Sequence, residues 1–264
     1  MTRNVPIRLQ RSVAVVTGAS SGIGEATARA LAGRGSHVLL LARNQQRLNM
    51  VVEQIRGEGH EADAYPVDLS DPKAISCVVA QLTQTHGSPH IVVNNAGAGR
   101  WLPMSATSAE EAAQMMAVPY LAAFNLTRDL LPGMLARRAG HIVNVTSVAA
   151  RLVWPGAVAY TAARAAMEGF TNALRADLHG SGVGVTLATF GAVDTPYWEH
   201  NPGSRERLPR LAAMIPVLAA DKAAALIVAA IVKGSRTVVA PGLFRLLFFL
   251  NALSPAPVEA SLRS

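Results

Sequence analysis

Short runs rich in Val, Ile and Leu recur along the chain, each followed by a longer helix-like stretch. "SVAVVTG" at 12–18, "HVLLLAR" at 37–43, "EADAYPVD" at 61–68, "HIVVNNAG" at 90–97, "GHIVNVTS" at 140–147 and "GVGVTLATF" at 182–190 read as strands, and "RTVVAP" at 236–241 is a candidate seventh. Apolar strands with so little polar alternation need cover on both faces, which a parallel sheet between two helix layers supplies. The intervening stretches fit that role. "GIGEATARALAGRG" places Ala26, Ala30 and Leu31 at helical spacing, a polar-amphipathic helix is expected from about Asn44 to Glu58, and Asp71-Pro72 opens another with Asp at the cap and Pro in the first turn. The expectation is a single doubly wound α/β domain over 1–264, with a parallel sheet of about seven strands flanked by helices. An irregular stretch at 192–220 holds Pro196, Pro202, Pro209 and Pro216 and is expected to be a substrate-loop insertion. Residues 242–264 form an apolar C-terminal tail. Its run "GLFRLLFFLNAL" is read as a core or subunit-interface segment, with a helix resting on a membrane surface as the alternative.

Composition narrows the function classes. Half of the 264 residues are hydrophobic and 16% are charged, enough to bury a large core. Cys77 is the single cysteine, so no disulfide forms within the chain and a reducing, cytoplasmic location is expected. The N-terminus shows no signal core, and no run reaches the roughly 18 apolar residues of a membrane span, which argues against membrane association. The net charge of +7 comes from 21 Arg and three Lys, scattered and without interleaved aromatics, so nucleic-acid binding is not expected. A basic surface would still collect anionic ligands. His37, His60, His86, His90, His141, His179 and His200 show no metal-ligand spacing and are read as surface or strand-end residues; no metal site is expected.

The turn "TGASSGIG" joins the first strand to the first helix. Gly18, Gly22 and Gly24 stand where a tight turn must let a phosphate approach the backbone, and the helix N-terminus offers free N–H groups and partial positive charge. Ser20 and Ser21 can add hydrogen bonds. The pattern TGxxxGxG resembles the short-chain dehydrogenase/reductase family. Four further features are similar: Asn94-Asn95-Ala96-Gly97 as an NNAG run, Ser147 thirteen residues before Tyr160, Asp68 after the third strand, and Gly191 to Thr195 as a PGxxxT-like turn. The resemblance covers residues 12 to about 240. It implies a pyridine dinucleotide held by Gly18, Ser20, Ser21, Gly22, Ile23, Gly24, Arg43, Asp68, Asn95, Ala96, Gly97, Tyr160, Arg164, Gly191, Val193 and Thr195. The second strand ends in Leu41-Ala42-Arg43-Asn44, without the carboxylate that would accept from a ribose 2′-hydroxyl. Arg43 would pair instead with a 2′-phosphate, so NADP(H) is favoured, with NAD(H) as the alternative.

The family's chemistry, carried over, makes Tyr160 the acid/base, with Ser147 hydrogen-bonding the reacting oxygen and Arg164 supplying the activating cation. Arg164 stands where the family has lysine. It keeps the charge, but its planar fork aims differently and it releases no proton near neutral pH. Pro119 stands where the relay asparagine sits. A proline there is expected to bend the helix and free the Met115 carbonyl, which could hold a water in the amide's place. Phe190 replaces the proline before Gly191. These departures leave two readings: an NADP(H)-dependent oxidoreductase of hydrophobic ketones or secondary alcohols, working chiefly as a reductase, or a catalytically impaired cofactor-binding protein acting as sensor or partner. Trp101, Trp154, Trp198 and Met214, with Tyr197, are expected to line an apolar substrate pocket. Arg100 or Arg151 could steer an anionic group. The resemblance also implies a homodimer or homotetramer.

Overall fold

The computed structural model describes residues 7–97, 99–153, 155–208 and 215–262. Seven parallel strands form the sheet: β1 (Val13–Thr17), β2 (His37–Ala42), β3 (Ala62–Pro66), β4 (Ile91–Asn94), β5 (Gly140–Ser147), β6 (Val183–Phe190) and β9 (Thr237–Ala240), in the order β3-β2-β1-β4-β5-β6-β9. The order reverses between β1 and β4, which opens a crevice at the carboxyl edge. Two-residue strands β7 (Val193–Asp194) and β8 (Leu218–Ala219) pair separately, so the expected irregular stretch is pinned at both ends.

Alternation along each strand feeds two cores. Ala14, Val16, Val38, Leu40, Val143 and Val145 pack under α1 (Gly22–Ala32), α2 (Gln45–Gly57) and α8 (Ala220–Lys233). Val15, Leu39, Leu41, Val92 and Ile142 pack under α3 (Pro72–His86), α5 (Ala122–Arg137) and α6 (Val158–Asp177). The expected Asp71 cap is present, and α2 is capped as well. Asn44 Oδ1 accepts from the Arg47 N–H, and Asp71 Oδ1 accepts from the Lys73 N–H ahead of α3. Beyond β6 lie α7 (Tyr197–His200), and beyond β9 lie α9 (Leu243–Leu253) and α10 (Pro255–Leu262), so the tail is helical. No helix among the described residues is long and apolar enough to cross a membrane.

A polar network threads the sheet centre beneath the crevice. Asn94 Nδ2 donates to Thr127 Oγ1 at 3.1 Å and to Asn144 Oδ1 at 2.8 Å, and Asn144 Nδ2 donates to Thr171 Oγ1 at 2.9 Å. It ties β4 and β5 to α5 and α6, and so braces β5 and α6, which carry Ser147 and Tyr160.

His141, on β5, is fully buried. Its Nε2 lies 2.7 Å from Thr186 Oγ1, whose proton goes to the Ser235 carbonyl, so Nε2 carries the hydrogen and Nδ1 has no partner. A second ring proton would have nowhere to bond, and burial pushes its pKa down to about 4. The unfolded chain therefore takes up a proton as pH falls through 6.5, while the folded chain does so only near 4. Stability is lost on acidification through that window. This residue is expected to cost about 2–3 kcal/mol between pH 7 and 4.5. Urea unfolding of the wild type and His141→Gln at both pH values measures it; an equally steep acid loss in the variant would reject the assignment.

Candidate active site

The carboxyl ends of β1, β2, β4, β5 and β6 border a cleft of about 1050 Å³. Its floor is the turn after β1. Gly18 has φ of 65°, and a Cβ there would lie 2.9 Å from the Ala96 Cα, so only glycine fits. Ser21 caps α1 without a side-chain hydrogen bond. The first-turn N–H groups are thus left for a ligand, and Ser20, Ser21, Gly22 and Ile23 line the cleft beside them. Gly24 does not line it. A Cβ at that position would stand 2.1 Å from the Gly18 carbonyl oxygen, so Gly24 serves the seating of α1 on the turn. Thr17 Oγ1 accepts from the N–H groups of Asn95 and Ala96 at 2.9 and 3.0 Å, holding the Asn-Asn-Ala-Gly run against β1.

Arg43 and Asp68 mark one end of the cleft. The Ser70 N–H and hydroxyl both donate to Asp68 Oδ1, at 2.9 and 2.7 Å. Those bonds, with Arg43 nearby, hold the Asp68 carboxyl below its usual range. Arg47 lines this end too, one helical turn beyond Arg43. The sequence reading passed over it; the spacing across the Asn44 cap was the available signal.

Ser147, at the end of β5, and Tyr160, in the first turn of α6, both face the cleft. Ser147 Oγ accepts from the Ala149 N–H at 3.2 Å. One turn after Tyr160, the Arg164 guanidinium carbon lies 4.9 Å from the phenol ring centroid, over its face. Both side chains are buried, and Arg164 Nε has no hydrogen-bond partner. Gly97 makes the space: a Cβ there would meet Arg164 Nη2 at 2.6 Å. A buried guanidinium nitrogen without a partner, in the same cleft as a helix N-terminus that has no side-chain cap, suits a polar, anionic ligand such as a dinucleotide.

Pro119 sits in a break between α4 (Ala109–Met116) and α5. The bend expected there falls at Val118 (φ −134°, ψ 111°), because the residue before a proline is forced out of the helical region. Pro119 itself is buried and does not line the cleft; Gln114 and Val118 do. Phe190 is buried, and Gly191, Val193 and Thr195 follow it along the cleft wall.

At the other end Trp101, Tyr160, Tyr197 and Trp198 form a ring cluster. Trp101 stands 5.6 Å from Tyr160 and 5.8 Å from Trp198, and Tyr197 stands 5.1 Å from Trp198. The Tyr197 hydroxyl donates to the Gly99 carbonyl at 2.6 Å, which latches the stretch after β7 across the cleft. Burial, then the neighbouring Tyr160, push the Tyr197 pKa up, so it stays a donor. Trp154 and Met214 lie outside the described residues. Arg100 and Arg151 are committed to ion pairs with Glu111 and Glu168. Phe244, Leu247 and Val258, from α9 and α10, also line the cleft, a contribution not read from the sequence. Only long-range packing brings the last helices to this mouth.

Residues 12–205 match the model of the short chain dehydrogenase family. The chain belongs to that family. An uncharacterized oxidoreductase of Mycobacterium tuberculosis is 34% identical over 263 residues, covering 97% of this chain and 74% of the relative. A fatty acyl-CoA reductase of Acinetobacter baylyi is 33% identical, covering 92% of this chain and 80% of the relative. The crystal structure of a short-chain dehydrogenase/reductase from Burkholderia phymatum in complex with NAD superposes with a TM-score of 0.87 at 25% identity, covering 96% of this chain and 97% of that one. In this short-chain dehydrogenase, then, the cleft belongs to an oxidoreductase fold, and a nicotinamide dinucleotide is the ligand class its cradle matches.

Proposed function

We propose that this short-chain dehydrogenase is an NADP(H)-dependent reductase of apolar carbonyl compounds, with Tyr160 as the proton donor. The observation that carries the reading is the buried Tyr160–Arg164 stack, 4.9 Å apart, in one cleft with Ser147 and the open N-terminus of α1. A bound nicotinamide would supply or take the hydride. Around it, the α1 N-terminus and Ser20 would hold the pyrophosphate, and Asp68 the adenine end. Asn95, Ala96, Gly97, Gly191, Val193 and Thr195 would wall the remainder. Arg43 and Arg47 offer two cations to a 2′-phosphate, which favours NADP(H). Ser147 would donate to the substrate oxygen while Tyr160 delivers the proton to it. The aromatic cluster and the apolar faces of α9 and α10 exclude water and suit a long aliphatic or aromatic carbonyl. The name of the Acinetobacter relative adds support for an acyl chain. A cytoplasmic homodimer or homotetramer is the matching assembly. Leu121 just before α5, Phe124 on α5, and Leu246, Phe249 and Leu253 on α9 are exposed apolar surface for it.

The test is consumption of NADPH against a panel of aliphatic and aromatic aldehydes and ketones. Cofactor binding with no turnover across the panel would favour the second reading, an impaired cofactor-binding protein, which the arginine and proline at positions 164 and 119 motivate. Arg164→Lys separates the two. It restores a side chain able to pass a proton, and is expected to raise kcat by ~3–10-fold. An unchanged or lower kcat would show that arginine is no handicap here.

A further inference from the structure

At the amino ends of β2 and β3, on the side of the sheet away from the cleft, three side chains converge that the redox chemistry does not use. His37 opens β2, Asp63 lies in β3, and His86 ends α3. His37 Nε2 is 2.6 Å from Asp63 Oδ2, and His86 Nε2 is 3.7 Å from the same oxygen. The two imidazoles meet edge to face with centroids 4.8 Å apart. One ligand atom from each of the three residues lies within 4.8 Å of the others.

The surroundings orient these atoms. Arg56 Nη2 holds the other Asp63 oxygen at 2.5 Å, leaving Oδ2 for the histidines. The Tyr65 hydroxyl is 2.7 Å from His86 Nε2. That contact and the His37–Asp63 bond are the hydrogen bonds an incoming ion would displace. Glu61 stands 3.9 Å from His37 Nδ1, on the far side of that ring. An outer carboxylate behind a ligand imidazole, and a cation steadying a ligand carboxylate, are the second-layer supports metal centres use.

We infer that His37, Asp63 and His86 bind a divalent transition-metal ion of the Zn²⁺ kind. Two imidazoles with one carboxylate select zinc-like ions over Mg²⁺ and Ca²⁺, which prefer all-oxygen sites. Bonds of about 2.0–2.2 Å around one ion would separate the ligand atoms by roughly 3.3 Å. The His37–Asp63 pair must open slightly and the His86–Asp63 pair close slightly, both within reach of side-chain rotation. The side chains keep 25%, 30% and 12% exposure, which gives the ion a way in and leaves a position for water. Such an ion would clamp the edge strand β3 to β2 and to α3.

The full-length protein, freed of metal by chelation, is to be titrated with Zn²⁺ and with Co²⁺. One ion per chain, a tetrahedral Co²⁺ absorption band and a rise of several degrees in Tm are expected. The double variant His37→Gln/His86→Gln is expected to bind at least about tenfold more weakly while its cofactor affinity stays unchanged. Absence of saturable binding to the wild type, or equal affinity in the double variant, would overturn the assignment. The readouts need no turnover, so the reductase reading stands or falls separately.

Discussion

Tyr160→Phe is expected to lower kcat by about 10²–10⁴-fold while NADPH affinity stays within about threefold. Phenylalanine keeps the ring that stacks under Arg164 and packs 5.6 Å from Trp101, so the cleft should hold its shape. What disappears is the hydroxyl that would carry the proton. Steady-state turnover beside a cofactor titration measures both. A variant that keeps turnover within tenfold would remove Tyr160 from the proton path, and a large loss of cofactor affinity would mean that the substitution disturbed the site.

Arg43→Glu is expected to move the ratio of NADPH to NADH affinity by about 100-fold or more toward NADH. Losing one charge-assisted bond to a 2′-phosphate costs roughly 1.5–3 kcal/mol, and the new carboxylate repels the phosphate while accepting from a ribose hydroxyl. Arg47 lines the same end, so some NADPH binding should survive. Titration by tryptophan fluorescence suits the test, because Trp101 and Trp198 both line the cleft. Tighter binding of NADH by the wild type itself would contradict the role given to Arg43.

Much of the site could be read from order along the chain. The glycine turn, the Asn-Asn-Ala-Gly run, Ser147, Tyr160 and Arg164 each follow a strand that ends at the same sheet edge, so topology alone brings them together. Gly24 shows how one glycine can answer a second need. Its spacing suggests a ligand contact, and the 2.1 Å between its would-be Cβ and the Gly18 carbonyl oxygen gives it a packing role that spacing does not reveal. Pro119 is the opposite case. The bend could be foreseen from the missing N–H, whereas the displacement onto Val118, and the presence of Gln114 at the cleft, could not.

Periodicity and turn chemistry act over a few residues, and for that reason strand number, strand direction, the nucleotide turn and the helix caps were written in local letters. Proximity across the chain is not local. The seating of α9 and α10 at the cleft mouth, the Tyr197 latch onto Gly99, the pocket that Gly97 leaves for a guanidinium, and the meeting of His37, Asp63 and His86 all arise from distant segments. Each depends on how helices of given length stack on a twisted sheet, and that is settled by the packing of two whole cores at once.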